Sequence, residues 1–209
     1  MRTFCSVFYI FLLTTAIGLG QNKDTTENDM AVVYFIEMTE KPLVVFSGVH
    51  IYDGHEPIGT VPLKYYLRYE CSPGEHLFYS IRPENSYFIE ADLLAGKVYI
   101  IEVLELPGVM VAQAWLKPVN PTQKLFEIED YRKVVNRKRS KYFYRNVEKL
   151  NKIFLKREEK EKLEKYQRQL NKYDKKKVKE KVKVLYPHWH IESENLLIDF
   201  ENKRVEEFS

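Results

Sequence analysis

Glycine runs out at Gly108, and residues 122–186 contain neither glycine nor proline. The chain has no P-loop, no G-x-S-x-G elbow and no G-x-G-x-x-G fingerprint. The motifs that usually mark nucleotide binding and α/β-hydrolase chemistry are therefore missing. Cysteine is almost missing too. Of the two present, Cys5 lies in an apolar N-terminal run and Cys71 stands alone. C-x-x-C and H-E-x-x-H spacings are absent, so no spacing announces a zinc set. With Cys5 removed no internal disulfide can form, and a lone thiol in an oxidising compartment is either buried or paired between chains. Burial is expected for Cys71, at a strand end before Ser72-Pro73-Gly74.

Long apolar runs are also scarce. The longest is N-terminal: Arg2 precedes an uncharged stretch from Phe4 to Ile17, and Gly18-Leu19-Gly20 offers small residues for a cut before Gln21. This reads as a signal peptide over residues 1–20, cleaved near Gly20. The other reading is a retained anchor, for which the run is short against the ~20 residues of a spanning helix. No cysteine follows the cut, so a lipid anchor is not expected. The expected location is the bacterial periplasm or cell envelope.

What is present divides the chain in two. The formal net charge of +3 is an average over unlike halves. Residues 21–118 hold 7 Lys/Arg and 14 Asp/Glu, a net of −7, whereas 119–209 hold 25 and 16, a net of +9. Such shifts mark a change in the kind of structure. After a polar lead-in (21–29), β-branched and aromatic runs alternate with turn signals. The runs are AVVYFIE (31–37), PLVVFS (42–47), VHIYD (49–53), IGTV (58–61), LKYYLRY (63–69), HLFYSIR (76–82), SYFIEAD (86–92), KVYIIEVLE (97–105) and VMVAQAWLK (109–117). About eight short strands at this spacing predict an antiparallel β-sandwich over residues 30–118, able to fold alone. In LKYYLRY, Leu63, Tyr65, Leu67 and Tyr69 share one expected face. KVYIIEVLE, apolar on both faces at its middle, is expected to be a central strand.

Residues 119–186 are rich in helix formers, and Asn120-Pro121 is a suitable start. Phe143, Val147, Leu150 and Phe154 form one helical stripe, and Leu163, Tyr166, Leu170 and Tyr173 another. The nine residues between stripes turn the face around, so KREEKEK (156–162) is read as a bend or a junction of two helices. The stripes predict packing on the sandwich, or on each other as in a coiled coil, with Phe143, Val147, Leu150 and Phe154 as the contact. The fold class is thus mainly β plus α: an antiparallel β-sandwich, then a long charged helical extension, then a tail (187–209).

Four segments carry a resemblance: Val33-Tyr34-Phe35, Ile58-Gly59, Pro73-Gly74-Glu75-His76 and Ala95-Gly96-Lys97-Val98-Tyr99. Together they resemble a family of small bacterial exported proteins and lipoproteins of unknown function, whose sandwich is similar to PEGA-type and transthyretin-like domains. The likeness covers roughly residues 30–118. It implies the sandwich and export, and carries over no catalytic residue. Met38 departs from the arginine common in that family, and the lipobox is missing.

Candidate chemistry is sparse. His188 and His190 flank Trp189 and are weak metal candidates, since zinc needs three or four ligands and no further ligand accompanies them. They also fit as polar loop histidines. His50, Asp53, His55 and Glu56 have the composition of an acid–base cluster, although Asp53-Gly54 is also a hairpin turn. The basic groups Arg132, Lys133, Arg137, Lys138 and Arg139, and Lys175, Lys176 and Lys177, have the charge to face an anionic membrane or envelope polymer. Interleaved glutamates also fit a merely solvated helix face, and a signal peptide argues against nucleic acid. The reading is a non-enzymatic exported envelope protein that binds or scaffolds, with no cofactor. Its expected partners are another envelope protein or a second copy through the helices.

Overall fold

Strict alternation fails in several strands. AVVYFIE and VYIIEVLEL place apolar residues at odd and even positions alike, and such strands must be covered on both faces. The computed structural model describes residues 29–39, 48–81, 86–106, 113–121, 128–137, 141–159 and 161–197, with backbone only at 141–146 and 162. The run 42–47 lies outside the described residues, as do 1–28, Lys138 and Arg139.

Two sheets form. The first takes β1 (Ala31–Glu37), β4 (Tyr66–Cys71), β7 (Val98–Leu106) and β8 (Gln113–Pro118), in the order β4-β1-β7-β8. The second takes β2 (Val49–Asp53), β3 (Glu56–Val61), β5 (Gly74–Ile81), β6 (Ser86–Leu93) and β9 (Lys183–Leu185), in the order β3-β2-β5-β6-β9. Pro57 lies in β3, an edge strand, where its missing N–H costs no ladder bond. Gly48, before β2, has φ +94°, and a Cβ there would stand 2.7 Å from the Val61 carbonyl oxygen, so only glycine fits. Cys71 is buried at the end of β4, as expected.

Three apolar clusters follow from the double-faced strands. Between the sheets, Val33, Phe35, Ile101 and Val103 meet Ile51, Phe78, Ile89 and Leu185. On the outer face of the first sheet, Tyr34, Ile36 and Ile100 lie under Tyr131 and Val135 of α1 (Ile128–Val135), with Ile191 and Leu197 of the tail. On the outer face of the second, Tyr52, Tyr79 and Phe88 lie with Phe154 of α2 (Lys141–Glu158), and Tyr166 and Tyr173 of α3 (Lys162–Lys177) pack against them. The two sheets are therefore the inner layers and the helices the outer ones.

The structure corrects the expected fold class in four respects. Pairing is mixed rather than antiparallel, because β1–β7 and β6–β9 run parallel. Among the described residues, the chain after the sandwich shows neither a single long extension nor a coiled coil. Three separate helices cover opposite faces, each held by apolar residues on its sheet. Residues 183–185, expected within the helical part, form β9 and complete the second sheet. In LKYYLRY the strand begins at Tyr66. Lys64 turns the chain with φ +54°, so only Leu67 and Tyr69 share the core-facing row. The junction in KREEKEK does appear, between Glu158 and Lys162. Of the expected contact stripe, Phe154 is 2% exposed but Leu150 is 42% exposed. The Phe143 side chain lies outside the described residues.

Burying a ring the size of Phe154 contributes about 1.5–3 kcal/mol from area alone, and truncation adds a cavity term. We expect Phe154→Ala to cost about 3 kcal/mol in urea unfolding and Leu150→Ala less than about 1 kcal/mol. Equal losses would refute the docking of α2 through Phe154. A fragment 30–118 uncovers Tyr34, Ile36 and Ile100 on one face and Tyr52, Tyr79 and Phe88 on the other. It should bind an apolar dye and self-associate where the full chain does neither. A monomeric fragment with no dye binding would restore the expectation that the sandwich folds alone.

Candidate functional site

The hairpin β2–β3 closes through Gly54 and His55, and Gly54 takes φ +54°, in the left-handed region such turns require. This places Asp53 at one end of both sheets. Its Oδ2 accepts from His76 Nδ1 at 2.7 Å and from the Tyr69 hydroxyl at 3.2 Å, while His76 Nε2 donates to the Ser72 carbonyl at 2.8 Å. Tyr69 belongs to β4, and Asp53 and His76 to β2 and β5, so the network ties the sheets together. Both ring nitrogens face acceptors, which favours the imidazolium. The hydrogen bond to Asp53 is the main cause, outweighing burial, and His76 is raised to about 10.

Beside this network opens a cleft of about 640 Å³, walled by α3, β9 and the outer face of β5 and β6. Residues alternate along strands, so Leu77 and Glu75 of β5 project to the same side as Glu90 and Asp92 of β6. The register sets Leu77 opposite Glu90 and Glu75 opposite Asp92. Glu90 is satisfied: Tyr173 and Lys177 both donate to Oε1, the lysine at 2.6 Å, and hold the carboxyl below its ordinary value. Glu75 and Asp92 have no cationic partner among the described residues. Like charges directly opposite across a ladder are destabilising. Tyr166, Tyr173 and Tyr186 add ring faces and hydroxyls. The lining contains no serine, threonine or cysteine. Its one histidine is held as a cation with no lone pair free to take a proton.

The four residues of the expected acid–base cluster diverge. His50 Nδ1 contacts Thr60 Oγ1 at 2.9 Å and its ring stacks 4.2 Å from Phe154. His55 and Glu56 pair with each other at 2.9 Å on the surface. Only Asp53 enters the cleft, and its partner His76 comes from outside that sequence cluster, on β5. His188 and His190 do not converge. His190 contacts the Pro187 carbonyl at 2.8 Å and Glu192 at 3.1 Å, while His188 stacks on Tyr186. No group of three or more His, Cys, Asp or Glu suited to a metal occurs among the described residues.

The basic candidates separate as well. Arg132, Lys133 and Arg137 stand at or just past α1, outside the first sheet, and Lys133 pairs with Asp130 at 2.9 Å. Lys138 and Arg139 lie outside the described residues. Lys175, Lys176 and Lys177 end α3, outside the second sheet. There Lys177 is bound to Glu90, and Lys176 donates to the Ser86 carbonyl at 2.6 Å with its ammonium 4.7 Å from the Tyr87 ring centre. Lys175 is exposed.

No protein-family model, curated protein or solved structure matches the chain. Among the described residues no helix is long and apolar enough to cross a membrane.

A raised histidine stabilises the fold when charged in the folded state. That contribution is complete below the unfolded value near 6.5 and disappears as pH rises through about 10. We expect the melting temperature to fall over that interval in the wild-type chain and to fall less in His76→Gln. Parallel pH profiles for the two would sink the Asp53–His76 assignment.

Proposed function

We propose that the chain is an exported, non-enzymatic binding module of the bacterial cell envelope that takes its ligand in the cleft beside α3. The N-terminal run Phe4–Ile17 and the small residues before Gln21 support export, and the resemblance to exported envelope proteins points the same way. The observation that carries the binding role is the Glu75–Asp92 pair. Two carboxylates placed face to face without a counterion cost stability, and a ligand donating hydroxyl or ammonium protons between them removes that cost. Tyrosine rings beside carboxylates suit sugars and amines, which offer donors along an apolar face. A binding role also fits a lining without serine, threonine or cysteine.

A second observation favours scaffolding. Leu150, Ile153 and Leu163 are 42%, 55% and 65% exposed on α2 and α3, and packing against another envelope protein or a second copy would cover them. Sedimentation velocity showing only monomer at high concentration would remove the self-association half of that reading.

The cleft is tested by capture from envelope extract with the full chain and with Asp92→Lys. The substitution relieves like-charge repulsion, so thermal stability should hold or rise while the captured material is lost. Identical capture by both chains, or turnover of an extract component by the wild type, would overturn the proposal.

A further inference from the structure

Helix α3 sorts its cations. Three lysines are engaged: Lys165 with the buried Glu158, Lys177 with Glu90, and Lys176 with the Ser86 carbonyl. Along one flank a second set, Arg168, Lys172 and Lys175, is exposed, and Lys179 continues it past the helix end. Their spacing of 4, 3 and 4 residues keeps them on one side of a helix with about 3.6 residues per turn, over a length of roughly 16 Å. Among the described residues no carboxylate pairs with Lys172, Lys175 or Lys179, and Arg168 reaches Glu164 only at 3.9 Å. Asp174, two residues beyond Lys172, falls about 200° around the helix from it. Lys176, at the base of this flank, is lowered by burial and then by the nearby Lys181 and Lys172. Glu164, Asp174 and Glu180 are the carboxylates nearest this flank, and its four cations leave it positive on balance. Val178 stands between Lys175 and Lys179 and is 86% exposed.

We propose that the Arg168–Lys172–Lys175–Lys179 flank of α3, with Val178 beside it, is a docking surface for an anionic phospholipid bilayer. The basic flank meets headgroup phosphates. Val178 favours one anionic partner: a polysaccharide or a nucleic acid has no hydrocarbon interior for an aliphatic side chain to enter, whereas the bilayer boundary accepts one among cations. Each basic residue held near an anionic surface adds roughly fivefold to binding, and the attraction weakens with salt. The surface is separate from the cleft, so its test does not depend on the cleft's ligand.

The test is co-sedimentation of the full chain with vesicles of phosphatidylcholine alone or mixed with phosphatidylglycerol. Partitioning should rise at least tenfold with phosphatidylglycerol and fall back in high salt. The variant R168E/K172E/K175E/K179E should lose at least tenfold on the anionic vesicles, and Val178→Asp several-fold. All substituted side chains point to solvent. If the quadruple variant nevertheless loses its circular dichroism signal, Lys172→Gln with Lys175→Gln gives the same reading and should lose about 25-fold. Arg132→Glu with Lys133→Glu on α1, outside the other sheet, should change little. Equal binding to both vesicle types, or no loss in the α3 variants, or an equal loss in the α1 variant, would overturn the proposal. So would binding to a DNA duplex that is tighter than to vesicles and lost in the same α3 variants.

Discussion

The dominant constraint is that each sheet carries buried apolar residues on both faces. In β1, Val33 and Phe35 point between the sheets while Tyr34 and Ile36 point away, and all four are buried. The second sheet repeats the pattern, with Phe78 and Ile89 inward and Tyr79 and Phe88 outward. A two-layer sandwich can hide only one face of each sheet. The helices and the tail are therefore required by the strands, and the Gly- and Pro-free region supplies the long apolar stripes that cover them.

Covering a sheet with a lysine-rich helix brings charge close to apolar surface, and the chain handles this by local pairing. Glu158, buried at the end of α2, accepts from the Tyr52 hydroxyl at 3.0 Å and is met by Lys165 from α3. Burial alone would raise its carboxyl, but the bonds from Lys165 and Tyr52 outweigh that and hold it below the ordinary value. One carboxylate thus joins α2, α3 and β2. Breaking such a buried pair on one side is costly, because the remaining charge loses its partner. On the other sheet Glu102 does the same, accepting from Tyr131 of α1 at 2.5 Å and pairing with Lys117 at 2.8 Å. Individual pairs also defy the bulk asymmetry. Arg68 and Lys97 of the acidic half bind Glu194 and Glu192 of the basic half.

Much of this was legible in the sequence and part was not. The strand runs, the hairpin at Asp53-Gly54, the central place of KVYIIEVLE and the break in KREEKEK all follow from local signals. The parallel pairings do not. β1 and β7 are separated by some sixty residues, and nothing local in AVVYFIE states which strand will lie beside it. β9 is three residues long, Lys183–Leu185, too short to announce a strand so close behind a lysine-rich helix. The double-faced pattern noted in KVYIIEVLE recurs in AVVYFIE and SYFI. That pattern means burial on both faces, and it would have required docked helices before any stripe was counted.

The candidate cleft was less legible because it is made of register. His76 and Asp53 are 23 residues apart and meet because β2 and β5 pair antiparallel, with Asp53 opposite Phe78. Glu75 faces Asp92 for the same reason, one row from Glu90 and Val184. Composition placed histidine near carboxylate within VHIYDGHEPIG, but neighbours along a hairpin point to opposite faces, so His50, Asp53 and His55 had no means of converging. Charge sorting on α3 arises in the same way. The helix repeats lysine on most of its circumference, and the sheet beneath, by offering Glu90, the Ser86 carbonyl and the Tyr87 ring, decides which lysines are consumed. The flank left outside that contact is defined by the sheet as much as by the helix. The 4, 3, 4 spacing aligns this flank in α3 itself, and docking takes up Lys165, Lys176 and Lys177 and leaves the flank facing outward.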